Sequence, residues 1–370
     1  MSHLQENTNS KRVGLLTLPL SNNYGGILQM IALNEVLKQE GCEPVLLDKQ
    51  PRFMTLREQI LVLLGRIPMQ NLRGARGRAL AARKHRSFYQ IYLGLRTAPV
   101  TTSRDIEREL ERLGVSTVVV GSDQVWRLGY QKDAEELNYF LDFGGPGLQR
   151  VSYAASFGHG KWTDPSRSKE IADCIARFDA VSVREQSGQT ICSDEFKRHD
   201  AKLVLDPTLL HDAEYYRKFL TPTTASSGVL AYVLDRQDDA RKLSDRIAQQ
   251  RGNLPVRILS PSAREYVSIS QWLSEFANAD FVVTDSFHGT IFSILFRKPF
   301  LTLLNSRRGL DRFTTLFDTF GLADRGLTDW DGTPPAALAT DPDFEAVSRI
   351  LQVQRESSRS FLRNALAGSG

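Results

Sequence analysis

The chain has 370 residues, 41% hydrophobic and 24% charged, with a formal net charge of +4. Such a length sets a prior of two domains, each able to bury a core without disulfide or metal staples. The mild positive charge favours anionic ligands but falls short of a nucleic-acid-binding signature. Cys42, Cys174 and Cys192 are scattered without metal or redox spacing, which fits a reducing compartment. The polar start MSHLQENTNSKR carries no apolar signal segment, and no apolar run reaches the roughly 18 residues of a membrane span. The expected location is cytoplasmic.

Val13 to Leu18 is a short apolar run, as in a buried parallel strand. The turn Ser21-Asn22-Asn23-Tyr24-Gly25-Gly26 follows, and Ile27, Leu28, Ile31, Leu33, Val36 and Leu37 then recur near helical spacing. Gly41 is suited to end that helix, because glycine takes positive φ freely. Pro44 to Leu47 is the next predicted strand, and residues 53–113 read as mostly helical. Further strands are expected at Thr117–Val120, Val151–Ala154, Ala180–Val183 and Leu203–Leu205. The stretch Thr221 to Gly228 has a linker's composition.

After it the alternation restarts. Strands are predicted at Val229–Leu234, Val256–Leu259, Phe281–Thr284 and Phe300–Leu304, with helices at Asp239–Gln250 and Ile269–Ala277. Phe344, Val347, Ile350, Leu351, Phe361 and Leu362 form the stripe of a tail helix. The expected architecture is α/β, with two Rossmann-like domains facing a cleft. Residues 1–220 form the first domain, 221–330 the second and 331–370 the tail.

Three strand-to-helix turns carry candidate chemistry. In Thr284-Asp-Ser-Phe-His-Gly-Thr290 a helix is expected to begin near Thr290. Free N–H groups at such a start suit an anion, Gly289 allows close approach, and His288 can transfer protons near neutral pH. The structural alternative is a cap made by Ser286 or Thr290 with His288 merely packed. In Val120-Gly-Ser122-Asp123-Gln-Val-Trp126, Asp123 suits a proton acceptor or sugar ligand and Trp126 a stacking surface. The alternative there is a capped helix start and a core tryptophan. The turn at Asn23, Tyr24 and Gly25 offers backbone donors but lacks the full glycine fingerprint of dinucleotide sites.

Arg184 follows a strand and suits a two-pronged grip on carboxylate or phosphate, or else a surface pair with Glu185. Arg312 is placed to reach the same cleft, and His159 lies in a Gly-bearing turn. No histidine–carboxylate set has metal-ligand spacing, so no metal is expected. Leu56, Ile60, Leu63, Leu64 and Ile67 precede the basic run Arg66 to Arg86. Residues 56–86 therefore read either as a peripheral contact with an anionic membrane or as a core helix with a solvated basic face.

The stretches NNYGGILQMIAL, VVVGSDQVW, VSYAASFG, VSVRE, LDPTLL and TDSFHGTIFSILFRKPF, in this order from residue 22 to about 300, resemble the polysaccharide pyruvyltransferase family. The resemblance implies two Rossmann-like domains similar to the GT-B glycosyltransferases. It implies phosphoenolpyruvate as co-substrate, no further cofactor, and a glycan or lipid-linked oligosaccharide acceptor that gains a pyruvate ketal. The family's important histidine falls on His288, the first catalytic candidate, and the residue reading adds Asp123 as its partner on the acceptor side. Arg184, Ser286, Gly289, Thr290 and Arg312 become donor-binding candidates in or facing the second domain. Asn23, Tyr24, Gly25, Ser122, Trp126 and His159 become acceptor-side candidates. The alternatives are a GT-B glycosyltransferase using a nucleotide sugar and a non-catalytic glycan- or nucleotide-binding protein.

Overall fold

The computed structural model describes residues 10–20, 23–50, 85, 88, 91–130, 135–221, 227–260, 267–305, 309–328 and 330–368. Strands β1 (Arg12–Leu16), β2 (Glu43–Leu46), β3 (Thr117–Asp123), β4 (Gln149–Ala155), β5 (Ser182–Val183) and β6 (Lys202–Leu203) pair in parallel in the order β2-β1-β3-β4-β5-β6. Strands β7 (Val229–Tyr232), β8 (Val256–Leu259), β9 (Phe281–Thr284), β10 (Phe300–Leu303) and β11 (Gly326–Leu327) form a second parallel sheet, ordered β11-β10-β9-β7-β8. All seven residues of β3 are buried, as a parallel strand covered on both faces requires.

The helices are α1 (Tyr24–Gln39), α2 (Ser103–Leu113), α3 (Ser168–Ile175), α4 (Gln186–Asp194) and α5 (Ala213–Arg217). They continue as α6 (Gln237–Gln250), α7 (Ile269–Asn278), α8 (Phe287–Leu295), α9 (Asp311–Phe320) and α10 (Phe344–Ala367). Capping boxes at Thr102/Asp105 and Ser268/Gln271 start α2 and α7. Gly41 takes the expected positive φ just past α1.

Both halves are the expected Rossmann-like sheets. In each, the strand order reverses once, between β1 and β3 and between β7 and β9. Connections leave such a point in opposite directions, so a crevice opens beyond the carboxyl ends of the strands. Asn23 follows β1, Asp123 ends β3, and His288 follows β9.

The two sheets meet along a hydrophobic seam. Tyr24 of α1 stacks on Trp272 of α7, with ring centroids 5.4 Å apart, and its hydroxyl donates to the Val267 carbonyl at 2.8 Å. Helix α10 runs across this seam. Its start is tied to the second half by the Arg297–Glu345 ion pair, and its end to the first by Lys11 and Gln149, which donate to the carbonyls of Leu366 and Ala365.

Helix α8 begins at Phe287, three residues ahead of the expected start at Thr290, because Ser286 caps it. The apolar stripe from Leu56 to Ile67, most of the basic run Arg66–Arg86 and residues 222–226 of the expected linker lie outside the described residues. Of the described residues in the expected helical stretch 53–113, 85, 88, 91, 92 and Ser103–Leu113 are helical, while 93–102 are not. No helix among the described residues is long and apolar enough to cross a membrane.

Candidate active site

At the second reversal point, Ser286 organises the start of α8. Its hydroxyl accepts the Gly289 N–H at 3.2 Å. Its carbonyl accepts the Thr290 N–H at 2.9 Å and the Thr290 hydroxyl at 3.1 Å. These were the donors expected to hold an anion, and here the helix start uses them itself. Thr290 is fully buried, with its hydroxyl also 2.9 Å from that of Thr302. Gly289 is required for packing, since a Cβ there would overlap the Thr284 hydroxyl. Ser286, Gly289 and Thr290 therefore shape the turn that presents His288.

The neighbouring Asp285 is also committed. Its carboxylate accepts the N–H groups of Leu234 at 2.6 Å, Asp235 at 2.7 Å and Arg236 at 3.0 Å, closing the loop that leads from β7 into α6.

His288 points across the seam. Its ring lies so close over Gly25 that any Cβ at that position would overlap it. Its Nε2 is 3.6 Å from Asp206 Oδ2, an ion-pair distance rather than a hydrogen bond. Asp206 begins the turn Pro207–Leu210, where its other oxygen accepts the Thr208 N–H at 3.0 Å and the Thr208 hydroxyl at 2.6 Å.

Arg184 anchors the first half of the cluster. Its guanidinium donates to Asp206 at 2.8 Å and to Asp123 at 3.1 Å, and its Nε lies 3.9 Å from Glu185. Asp123 also accepts from the Asn23 amide at 3.0 Å and from the Gln124 N–H at 2.9 Å. It does so with φ at 71°, in the positive region that aspartate enters more readily than most other residues. The Arg184 and Arg312 guanidinium carbons each lie 5.1 Å from the centre of the Phe287 ring, a cation–π arrangement that brings both cations to the residue preceding His288.

Arg184, Arg312 and His288 thus face Asp123, Asp206 and Glu185, all buried. Burial pushes the Asp206 carboxyl up, but His288, Arg184 and Thr208 outweigh it and hold the group well below the usual carboxylate range. At Asp123 burial is likewise outweighed, by Arg184, His288 and Arg312, so its pKa is lowered. At Glu185 burial prevails over Arg184 and raises the pKa. Burial and the nearby Arg184 charge bring Arg312 down to about 10.

This arrangement corrects several expectations. Asp123 is at the site, with Arg184 and Asn23 hydrogen-bonded to its carboxylate. Arg184 is not a surface partner of Glu185; three carboxyl groups surround it in the interior. Trp126 is a core residue: it is fully buried, stacks on Phe140 at 5.6 Å and donates its indole N–H to Tyr139. Tyr24 belongs to the interdomain core. Ser122 is buried and bonds to the Ala154 carbonyl at 3.0 Å, with Asp206 at 3.4 Å, so it braces the cluster from below. Gly25 contributes the space in which His288 sits. Asn23 is exposed beside Asp123. His159 is half-buried in the turn after β4, where burial first and then Arg127 lower its pKa.

Asp206, Phe287 and Gln29 were missed. Gln29 accepts the Ser122 N–H at 2.8 Å and fixes the end of β3. Asp206 had a legible signal, an Asp-Pro pair just after a strand, which is a turn-initiating cap.

The sequence model of the polysaccharide pyruvyl transferase family matches residues 23–307. The chain belongs to this family. The matched span holds Asn23, Asp123, Arg184, Asp206 and His288, while Arg312 and α10 lie beyond it. No curated protein sequence matches the chain.

Among solved structures, the chain is similar to a UDP-GlcNAc 2-epimerase from Neisseria meningitidis, at 11% identity over 95% of this chain and 93% of that one, with a TM-score of 0.48. It is also similar to a putative UDP-N-acetylglucosamine 2-epimerase from Listeria monocytogenes, at 12% identity, 93% and 95% coverage and a TM-score of 0.47. A glycosyltransferase from Streptomyces nogalater follows, at 13% identity, 97% and 100% coverage and a TM-score of 0.41. Likenesses this distant carry no argument about chemistry. Family membership makes the chain a transferase acting on polysaccharide.

Proposed function

We propose that this transferase moves the pyruvyl group of phosphoenolpyruvate onto two hydroxyls of one sugar, on a polysaccharide or its lipid-linked precursor, and releases phosphate. The observation that carries the reading is the buried meeting of His288, Asp206, Arg184 and Arg312 where the two reversal points face each other. It joins a protonatable ring to a held carboxylate and two permanent cations. That set suits a small donor bearing both a carboxylate and a phosphate.

In this reading the donor's anionic groups exchange with the carboxylates around Arg184 and draw on Arg312. His288 gives a proton to the methylene carbon of the enol while the first sugar hydroxyl adds to the carbon bearing the phosphate, and that hydroxyl's proton passes to the imidazole nitrogen just vacated, which restores the proton donor. The second hydroxyl then displaces phosphate, which departs with that hydroxyl's proton, and the ketal closes. Asp206 steadies the ring and its charge. Asn23, exposed beside Asp123, marks the acceptor edge. We place the enzyme in the cytoplasm.

The alternative, a glycosyltransferase using a nucleotide sugar, is disfavoured by Asp285. Its carboxylate occupies three successive N–H groups of the loop just ahead of α6, the kind of nest in which a diphosphate binds. The test is incubation with phosphoenolpyruvate and a panel of glycosides, read by phosphate release and by the mass of the pyruvylated product. Release of nucleotide from a sugar nucleotide, with no product from phosphoenolpyruvate, overturns the proposal.

A further inference from the structure

Helix α10 lies beyond residue 307, outside the span that the family model matches. One of its faces nevertheless holds the backbone that carries Asp206. Ser358, 1% exposed, accepts the Leu205 N–H at 3.0 Å, and the Leu205 carbonyl accepts the Tyr153 hydroxyl at 3.2 Å. Arg355 donates through Nε to the Leu209 carbonyl at 2.6 Å and through Nη2 to that of His211. Arg359 donates to the Leu210 carbonyl at 3.1 Å.

Asp206 stands inside this set of bonds. It needs outside support because β6 is only two residues long and the chain leaves the sheet directly after it. The carbonyls at the end of the Pro207–Leu210 turn would otherwise lack partners. At its other end α10 is tied by Glu345 to Arg297, just past the helix that begins with Phe287 and His288. One helix therefore bridges the element carrying the histidine and the segment carrying its carboxylate.

We propose that α10 is a positioning element for the transfer reaction: through Ser358 and Arg355 it holds Asp206 against His288. This rests on the role given to His288 above. Displacing a reacting group by about 1 Å costs on the order of 100-fold in rate, and loosening the support of Asp206 is a milder version of that change.

The test is a double-mutant cycle combined with hydrogen exchange. Ser358→Ala, or Arg355→Gln if the first does not fold, lowers kcat roughly 10-fold in the wild-type background. In an Asp206→Asn background the same substitution changes kcat by less than about twofold, because groups acting through one another are not additive. Amide exchange quickens at residues 205–211, and the melting temperature falls by no more than the one stranded Leu205 N–H accounts for. Equal rate losses in both backgrounds, or unchanged exchange at 205–211, overturn the proposal. If the wild type transfers no pyruvyl group, the reading of the site fails, while the exchange result still decides whether α10 holds the segment.

Discussion

Asp206 Oδ2 lies 3.6 Å from His288 Nε2, and the two atoms come from segments that follow different sheets. Neither residue is exposed to more than 6%. The carboxylate that faces the ring is held in place and ionised by Arg184. The contact also depends on Gly25, since a Cβ there would overlap the ring over the start of α1.

Two substitutions on opposite sides of the seam should therefore have the same effect. His288→Ala lowers pyruvyl transfer by roughly 100- to 10,000-fold, the usual loss for a positioned acid–base group. Gly25→Ala forces the imidazole from its place and should approach the same loss while keeping the helix, since alanine favours helix over glycine. Steady-state rates with phosphoenolpyruvate, on variants shown by circular dichroism to be folded, check both. Wild-type turnover in Gly25→Ala would show that the ring position over α1 is immaterial.

Trp126 gives the opposite expectation. With its ring stacked on Phe140 and its N–H satisfied by Tyr139, it has no free face for a sugar. Trp126→Ala should cost about 3–5 kcal/mol of stability through the cavity it leaves. Trp126→Phe should leave the acceptor KM within about twofold of wild type. A rise in acceptor KM without loss of stability would return the residue to the binding surface.

Much of the fold was legible because parallel strands buried on both faces read as apolar runs: β9, buried throughout, falls on the expected residues. The site was only partly legible, for physical reasons. The motif around His288 marks a turn, but whether the N–H groups of Gly289 and Thr290 are free depends on where the helix starts, which Ser286 decides. Arg184 and Glu185 adjoin in sequence and look like a surface pair. They are buried because Asp123 and Asp206, 61 and 22 residues away from Arg184, compensate the guanidinium. Such long-range compensation has no periodic signature.

Stability should also carry a histidine-linked acid transition. His211 donates its Nε2–H to the Ala32 carbonyl at 3.0 Å, and its ring stacks on Tyr215. Burial, together with Arg359, Lys218 and Arg355 and against the Ala32 bond, brings its pKa down from 6.5 to about 4. The folded pKa is depressed, so the unfolded chain binds more protons between these values. The stabilisation is complete above about pH 6.5 and is lost as pH falls toward 4, by at most about 3 kcal/mol. Melting temperatures measured across that range should fall in the wild type and fall less steeply in His211→Gln. Parallel curves would assign the transition to other groups.

The last expectation separates donors. Asp285 neutralises three N–H groups of the loop just ahead of α6 with one carboxylate. Removing it in Asp285→Ala strands those donors, each at a cost of about 1–3 kcal/mol if buried and left unpaired. The variant should melt well below the wild type. Because the carboxylate already fills the nest, a nucleotide diphosphate must expel it to bind there, at the same cost and against its charge. UDP and UDP-sugars should therefore leave the wild-type melting temperature unchanged. A true ligand present at 100 times its Kd would add about 2.7 kcal/mol of stability. A shift of that size with UDP, absent with phosphoenolpyruvate, would reassign the site to a nucleotide-sugar donor.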